Sequence, residues 1–238
     1  MIGIIGLDTR FAKPPGHIRN PATFAYPVRY AVVAGATPQR VVIEADPALL
    51  EPFLDAARGL ERLGCRAITT ACGFLVLFQA ELASAVSVPV HASSLLQVPL
   101  AARMIGPRRR VGILTARAAS LTPRHLAAAG IDPATVRLAG MDASAEFREV
   151  ILEGRRDRLD LGRLDADLGA AAEAAMAHHG DIGAWVLECT DLAPFSAGLK
   201  ARTGLPVFDI VTLTDMAAAA VDGLDRIMPC RPTVALPT

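Results

Sequence analysis

The chain repeats itself, and the repeat carries two cysteines. When the segment opening at Cys65 is slid forward until Cys72 lies on Cys189, Ala67, Leu75, Phe78, Leu82, Pro89 and Val90 fall on Ala184, Leu192, Phe195, Leu199, Pro206 and Val207. A unit built twice in one chain folds as two similar lobes, and equivalent side chains then meet across the groove between them. Two thiols in that relation flank one carbon from both sides, as a two-base proton-transfer enzyme requires.

The elements around the repeat define the class. Ile2-Gly3-Ile4-Ile5-Gly6-Leu7 and Val111-Gly112-Ile113-Leu114-Thr115 are short, apolar, non-alternating runs, the pattern of parallel strands buried on both faces. Asp46 reads as an N-cap with Pro47 at the first helical position, and Leu50, Phe53, Leu54, Ala57, Leu60 and Leu63 keep a helical period up to Gly64. A strand over 67–71 delivers Cys72, followed by a helix over 75–86 and a strand over 88–91. Thr122 and Gly130 bound another helix, residues 164–178 form a long one that Gly180 ends, and a strand over 184–188 delivers Cys189. Strands alternating with helices make an α/β fold of two pseudosymmetric lobes, each a parallel sheet flanked by helices.

The expected lobes are residues 1–100 with 211–238, and residues 101–210, divided at the break Gly106-Pro107-Arg108-Arg109-Arg110. The arginine triplet reads as a solvated strand entry. In this division the last helix, over 211–227, packs back on the first lobe. The Pro-rich stretch from Asp8 to about Tyr30 is longer than compact domains leave structureless, and it reads as the wall or lid of a site.

Composition narrows the partner. A chain of 238 residues, 52% of them hydrophobic, can bury its cores without disulfides or metals. Lys plus Arg and Asp plus Glu are 24 each, so a net charge of zero offers no global attraction for nucleic acid or an anionic membrane. No apolar run is long enough to span a bilayer and no cleavable leader pattern occurs, so the expectation is a cytoplasmic protein with a small-molecule partner. Self-association into a homo-oligomer stays open. Four cysteines without a CxxC spacing give no metal signature, and no metal or cofactor is expected. Cys65 and Cys230 read as structural.

In parallel α/β sheets ligands bind beyond the carboxyl ends of the strands, where Cys72 and Cys189 are both expected with a helix starting behind them. A helix N-terminus favours a thiolate and offers free amides to a carboxylate. One buried thiol is usually only a small hydrophobe, but two in equivalent registers point to chemistry. A non-catalytic ligand-binding protein of the same fold is the alternative from another class. The hydroxyls of Ser93, Thr115 and Thr190 are candidate donors to a developing oxyanion, with Ser93 equally a helix cap. Asp191 reads equally as a substrate contact and as a cap. Arg10, Arg19 and Arg29 read as solvated rather than as carboxylate clamps, His178 and His179 as an exposed helix end, and His91 as facing the groove.

Thr70-Ala71-Cys72-Gly73 and Leu187-Glu188-Cys189-Thr190-Asp191, with the opening Gly6-Leu7-Asp8-Thr9 and the strand end Gly112-Ile113-Leu114-Thr115, resemble the aspartate/glutamate racemase superfamily, which also holds hydantoin racemases, maleate cis-trans isomerases and arylmalonate decarboxylases. The resemblance covers nearly the whole chain. It implies two Rossmann/flavodoxin-like lobes with a cofactor-independent site in the cleft between them. It places Cys72 and Cys189 on the two proton-transferring cysteines, Asp8 on the acidic residue after the first strand, and Asp191 where glutamate racemases have a histidine and aspartate racemases an acidic residue; Gly73 and Thr190, directly behind the cysteines, are further candidate substrate contacts. The chain departs from the amino-acid racemases at Gly73 and Phe74, where those carry Asn and Thr. The implied activity is racemisation or epimerisation α to a carboxylate or carbonyl. A maleate-isomerase-like or arylmalonate-decarboxylase-like enzyme using one cysteine is the alternative.

Overall fold

The computed structural model describes residues 1–222. Cys230 and the end of the last expected helix lie outside the described residues, as does the rest of the segment 223–238.

Two four-stranded parallel sheets repeat one topology. In the first, β1 (Ile2–Gly6), β2 (Val28–Val32), β3 (Ala67–Thr70) and β4 (Val90–His91) stand in the order β2-β1-β3-β4. In the second, β5 (Arg110–Thr115), β6 (Val136–Gly140), β7 (Ile182–Leu187) and β8 (Val207–Phe208) stand in the order β6-β5-β7-β8. β1 and β5 are central and almost wholly buried, as their unbroken apolar runs require. Registers run parallel throughout, Ile2 to Val28 and Ala67 in one sheet and Val111 to Val136 and Ala184 in the other.

The helices are α1 (Leu50–Arg62), α2 (Gln79–Ala85), α3 (Val98–Ile105), α4 (Pro123–Ala128), α5 (Leu161–His179), α6 (Ser196–Thr203) and α7 (Ile210–Asp222). Asp46 does cap, but its carboxylate accepts from the Ala48 amide of a short 3-10 turn that leads into α1, so α1 itself starts at Leu50. Phe53, Leu54, Ala57 and Leu60 form its buried face, each large side chain contributing roughly 1.5–3 kcal/mol. Gly130 and Gly180 follow α4 and α5 with φ of 66° and 63°, a conformation that stops a helix at little cost only in glycine. Arg108 and Arg109 face solvent at the entry to β5.

Two local expectations need correction. The Pro-rich stretch stops short of Tyr30, because residues 28–32 are β2, a half-exposed edge strand whose Arg29 and Tyr30 hide its apolar signal. Behind each cysteine the chain enters a 3-10 turn, Gly73–Phe78 and Thr190–Phe195, before α2 and α6 begin. Two π-helical turns, Gln39–Ile43 after β2 and Phe147–Leu152 after β6, occupy matching places in the two lobes.

Helix α7 packs on the first sheet. Ile210, Leu213 and Ala218 join Ile2, Ile4 and Ala67 in one buried cluster, together with Ile18, Phe24 and Tyr26 from the Pro-rich stretch. The Tyr26 hydroxyl donates to Asp215 at 2.7 Å. Among the described residues no helix is long and apolar enough to cross a membrane.

Candidate active site

The residues that directly follow the central strands, Leu7 after β1, Ala71 and Cys72 after β3, Ala116 after β5, and Glu188 and Cys189 after β7, converge on one narrow cavity of about 30 Å³. The two π-helical turns contribute its apolar wall through Val42, Phe147 and Ile151. Both cysteines are free, buried and on this cavity. Burial pushes the Cys72 thiol well above its ordinary value and Glu188 adds repulsion, while the amides of Phe74 and Leu75 donate to the sulfur and favour its thiolate. Cys189 is likewise raised, by burial first and then by Asp191 and Glu188, and its thiol donates to Asp191 Oδ2 at 3.7 Å. Both thiols are therefore protonated in the free protein at neutral pH.

Asp191 is half-buried, its side chain 18% exposed, and is held ionised. Burial alone would raise its carboxyl, but His17, Lys13 and Cys189 outweigh that and keep it below the usual range. His17 Nε2 meets Asp191 Oδ1 at 2.7 Å, and the Arg19 amide donates to His17 Nδ1 at 2.9 Å. With Nδ1 accepting, Nε2 carries the hydrogen and donates to the carboxylate. Lys13 also lines the cavity, its Nζ donating to Thr9 Oγ1 at 2.9 Å and lying 2.8 Å from the Phe11 ring centroid. Burial lowers it to about 7. Arg19 donates to Leu7 O at 2.7 Å and to Thr9 Oγ1 at 3.0 Å.

Glu188 is the least expected member. It is wholly buried, Thr115 Oγ1 donates to its Oε2 at 2.6 Å, and its Oε1 has no partner. Burial raises its carboxyl to about 7 against the pull of the Thr115 hydroxyl and the Ala116 amide, with Asp191 adding to the rise. Gly73 makes room for it, since a Cβ there would lie 2.3 Å from both Oε1 and the carbonyl oxygen of Glu188.

The residues expected at the site therefore divide. Cys72, Gly73, Cys189, Thr190 and Asp191 line the cavity. The Thr190 hydroxyl is committed to Ala71 O at 2.8 Å, a tie between the lobes. Thr115 stands behind the cavity and acts on it through Glu188. Asp8 is turned away: it sits at a bend, is exposed and accepts from the Gly35 amide at 3.0 Å, while its neighbours Leu7 and Thr9 line the cavity. Ser93 is a buried cap, accepting from the Leu95 amide at 3.2 Å. His91 does not face the groove either. It is buried against α7, meets Thr214 Oγ1 at 3.2 Å, and is lowered by burial to about 4. Arg19, read from sequence as solvated, lines the cavity, while Arg10 is exposed. His17 and Lys13 gave no sequence signal beyond their place in the Pro-rich stretch. Among the described residues no group of three His, Cys, Asp or Glu side chains is set to hold a metal ion.

Residues 34–218 match the family model described as Asp/Glu/Hydantoin racemase. The chain belongs to this family. Solved members of the same fold include arylmalonate decarboxylase (TM-score 0.60, 18% identity, 96% of each chain covered) and allantoin racemase from Pseudomonas fluorescens (TM-score 0.58, 16% identity, 100% of each). Picrophilus torridus aspartate racemase is similar at a TM-score of 0.57 and 13% identity, over 92% of this chain and 93% of that one. At these identities the likeness shows the fold alone. Curated relatives are more similar in sequence. A dimethylsulfoniopropionate lyase from Durusdinium sp. clade D is 34% identical over 221 residues, covering 90% of this family member and 72% of the relative. Dimethylsulfoniopropionate lyase 3 of Emiliania huxleyi is 33% identical over 230 residues, covering 92% of this chain but only 59% of its own length.

Proposed function

We propose that this racemase-family protein is a lyase that eliminates dimethyl sulfide from a β-sulfonium carboxylate such as dimethylsulfoniopropionate. The observation that carries the reading is the polarity of the cavity: Arg19 and the Lys13 amine, which a bound carboxylate favours as ammonium, on the loop from β1, and the unpartnered Oε1 of Glu188 beside two thiols. A zwitterion with a carboxylate at one end and a fixed cation at the other matches both. Sequence similarity to two dimethylsulfoniopropionate lyases supports the same substrate class.

The chemistry follows from the electrostatics. Burial and two nearby carboxyl groups keep Cys72 protonated in the empty site, and a cation bound beside it favours the thiolate. The Phe74 and Leu75 amides donate to that sulfur, which makes Cys72 the base, whereas the Cys189 hydrogen is committed to Asp191. The Cys72 thiolate takes the proton α to the carboxylate, the C–H pair becomes the α,β double bond, and the C–S pair leaves with dimethyl sulfide. The thiol proton that Cys72 gives up to solvent as the sulfonium binds is the one proton released, and the abstracted α proton restores the Cys72 thiol, so that acrylate, dimethyl sulfide and one proton complete the balance. Lys13 and Arg19 hold the substrate carboxylate, where charge builds during proton removal. In solution the test is headspace measurement of dimethyl sulfide with acrylate in equal amount, and its absence at millimolar substrate refutes the reading.

A second reading has its own support. Both thiols open on the same cavity, which suits two-sided proton transfer by Cys72 and Cys189 in a racemase or epimerase. Incubating amino acids and hydantoins in deuterated water and following inversion by circular dichroism separates it from the lyase: inversion with α-deuteration, and no alkene, identifies the racemase.

A further inference from the structure

Glu188 has a place in the site that proton transfer by the cysteines leaves unexplained. A buried carboxylate oxygen without a hydrogen-bond partner is costly, and native structures keep such groups where a ligand completes them. Glu188 Oε1 is in that condition, while Oε2 is fixed by Thr115 at 2.6 Å. The other acidic group on the cavity is already matched, Asp191 by His17 and by the Cys189 thiol. Among the described residues no cationic side chain pairs with Glu188.

We propose that Glu188 is the residue that selects substrates bearing a fixed positive charge on the group leaving from the β carbon, by offering its unpaired Oε1 to that cation. The inference rests on the lyase reading for its substrate class, and adds the residue that recognises the cation. Gly73 belongs to the same device, since any side chain there would occupy the space that the Glu188 carboxyl fills. A carboxyl that titrates at about 7 is also poised to ionise when a cation arrives.

The experiment compares two ligands that differ only in charge: β-alanine betaine, a trimethylammonium acid whose amine is a poor leaving group, and its uncharged isostere with carbon in place of nitrogen. Both share the carboxylate, so the ratio of their dissociation constants by calorimetry isolates the cation subsite. The wild type should prefer the betaine. Glu188→Gln keeps an acceptor for Thr115 and should reduce the ratio by about tenfold or more, with the isostere changing less than about threefold. A ratio unchanged in E188Q, or a wild type that treats the ligands alike, overturns the proposal.

Should E188Q fail to fold, the ratio measured against pH decides. It should fall as the pH drops through about 7, where Glu188 gains its proton. Asp191, Lys13, Arg19, His17 and both thiols also face this space, and Lys13 is itself lowered to about 7, so the slope must persist in Lys13→Met. A flat ratio in K13M overturns the proposal. Dimethyl sulfide release is read separately: no gas with an E188-dependent ratio refutes only the lyase, and gas with an E188-independent ratio refutes only this inference.

Discussion

Gly73→Ala is the sharpest test of how the site is built. The added Cβ would lie 2.3 Å from Glu188 Oε1 and 2.3 Å from the Glu188 carbonyl oxygen, where real Cβ contacts essentially never fall under 3.0 Å. Relief needs a movement of about 0.7 Å, and neither partner is free to give. The Glu188 amide donates to Leu114 O at 2.8 Å, and Oε2 is held by Thr115 at 2.6 Å. Overpacking of this kind costs about 1–3 kcal/mol. In a chain of this size that lowers the melting temperature by about 2–12 °C, at about 2–4 °C per kcal/mol. Cys72 is the neighbouring residue and moves with the turn, and a shift approaching 1 Å costs about a hundredfold in turnover. Gly59→Ala is the control, because within α1 its Cβ meets only Arg62 Nη2 at 3.8 Å; it should stabilise by about 0.5–1 kcal/mol. Calorimetric melts and dimethyl sulfide release read both effects. A G73A protein that melts with the wild type and turns over at its full rate refutes the packing reasoning.

Cys72→Ser should lower the elimination rate by about 10²–10⁴ and Cys189→Ser by much less, since serine can still donate to Asp191; equal losses in the two variants would instead favour two-sided proton transfer. Lys13→Met should raise KM about tenfold or more with a smaller change in kcat, the expected loss of one charge-assisted contact, measured by steady-state kinetics. Stability should fall as pH rises from about 4.5 to about 7, because in that window the folded state holds a proton on Glu188 that the unfolded chain has released. Urea midpoints measured across that range should show the slope, and E188Q should flatten it.

The sequence made the scaffold legible wherever one element explains itself. The unbroken apolar runs of β1 and β5 and the cap and period of α1 are local signals, and so are the glycines after α4 and α5. The paired cysteines were legible because the repeat puts both at strand ends. The turns behind them were not, since an apolar run such as Gly73–Phe78 carries no mark that separates a 3-10 turn from the first turn of an α-helix. β2 was hidden because an edge strand needs only half a buried face. His17 was invisible for a different reason: its partner Asp191 lies 174 positions away, and no spacing rule spans that distance. Glu188 was noticed only as a neighbour of Cys189, because a strand-end glutamate is ordinarily solvated. Its burial depends on the missing side chain at Gly73, in the other lobe.

That last dependence explains where the repeat is broken. Superposing the halves places Ala71 on Glu188, Gly73 on Thr190 and Phe74 on Asp191, so the second lobe supplies every carboxyl group at the sulfurs. The cations and the histidine, Lys13, Arg19 and His17, come from the loop after β1 in the first lobe. A symmetric scaffold thus presents two matched thiols in an unsymmetric field. Inversion at a carbon asks each thiol to serve as base in one direction and as acid in the other, whereas here the Cys189 hydrogen alone is committed to a carboxylate. Elimination asks for one base and a fixed substrate polarity. The thiols preserve the symmetry of the fold, but the charges around them break it, and that departure favours a one-sided reaction on a substrate with opposite charges at its two ends.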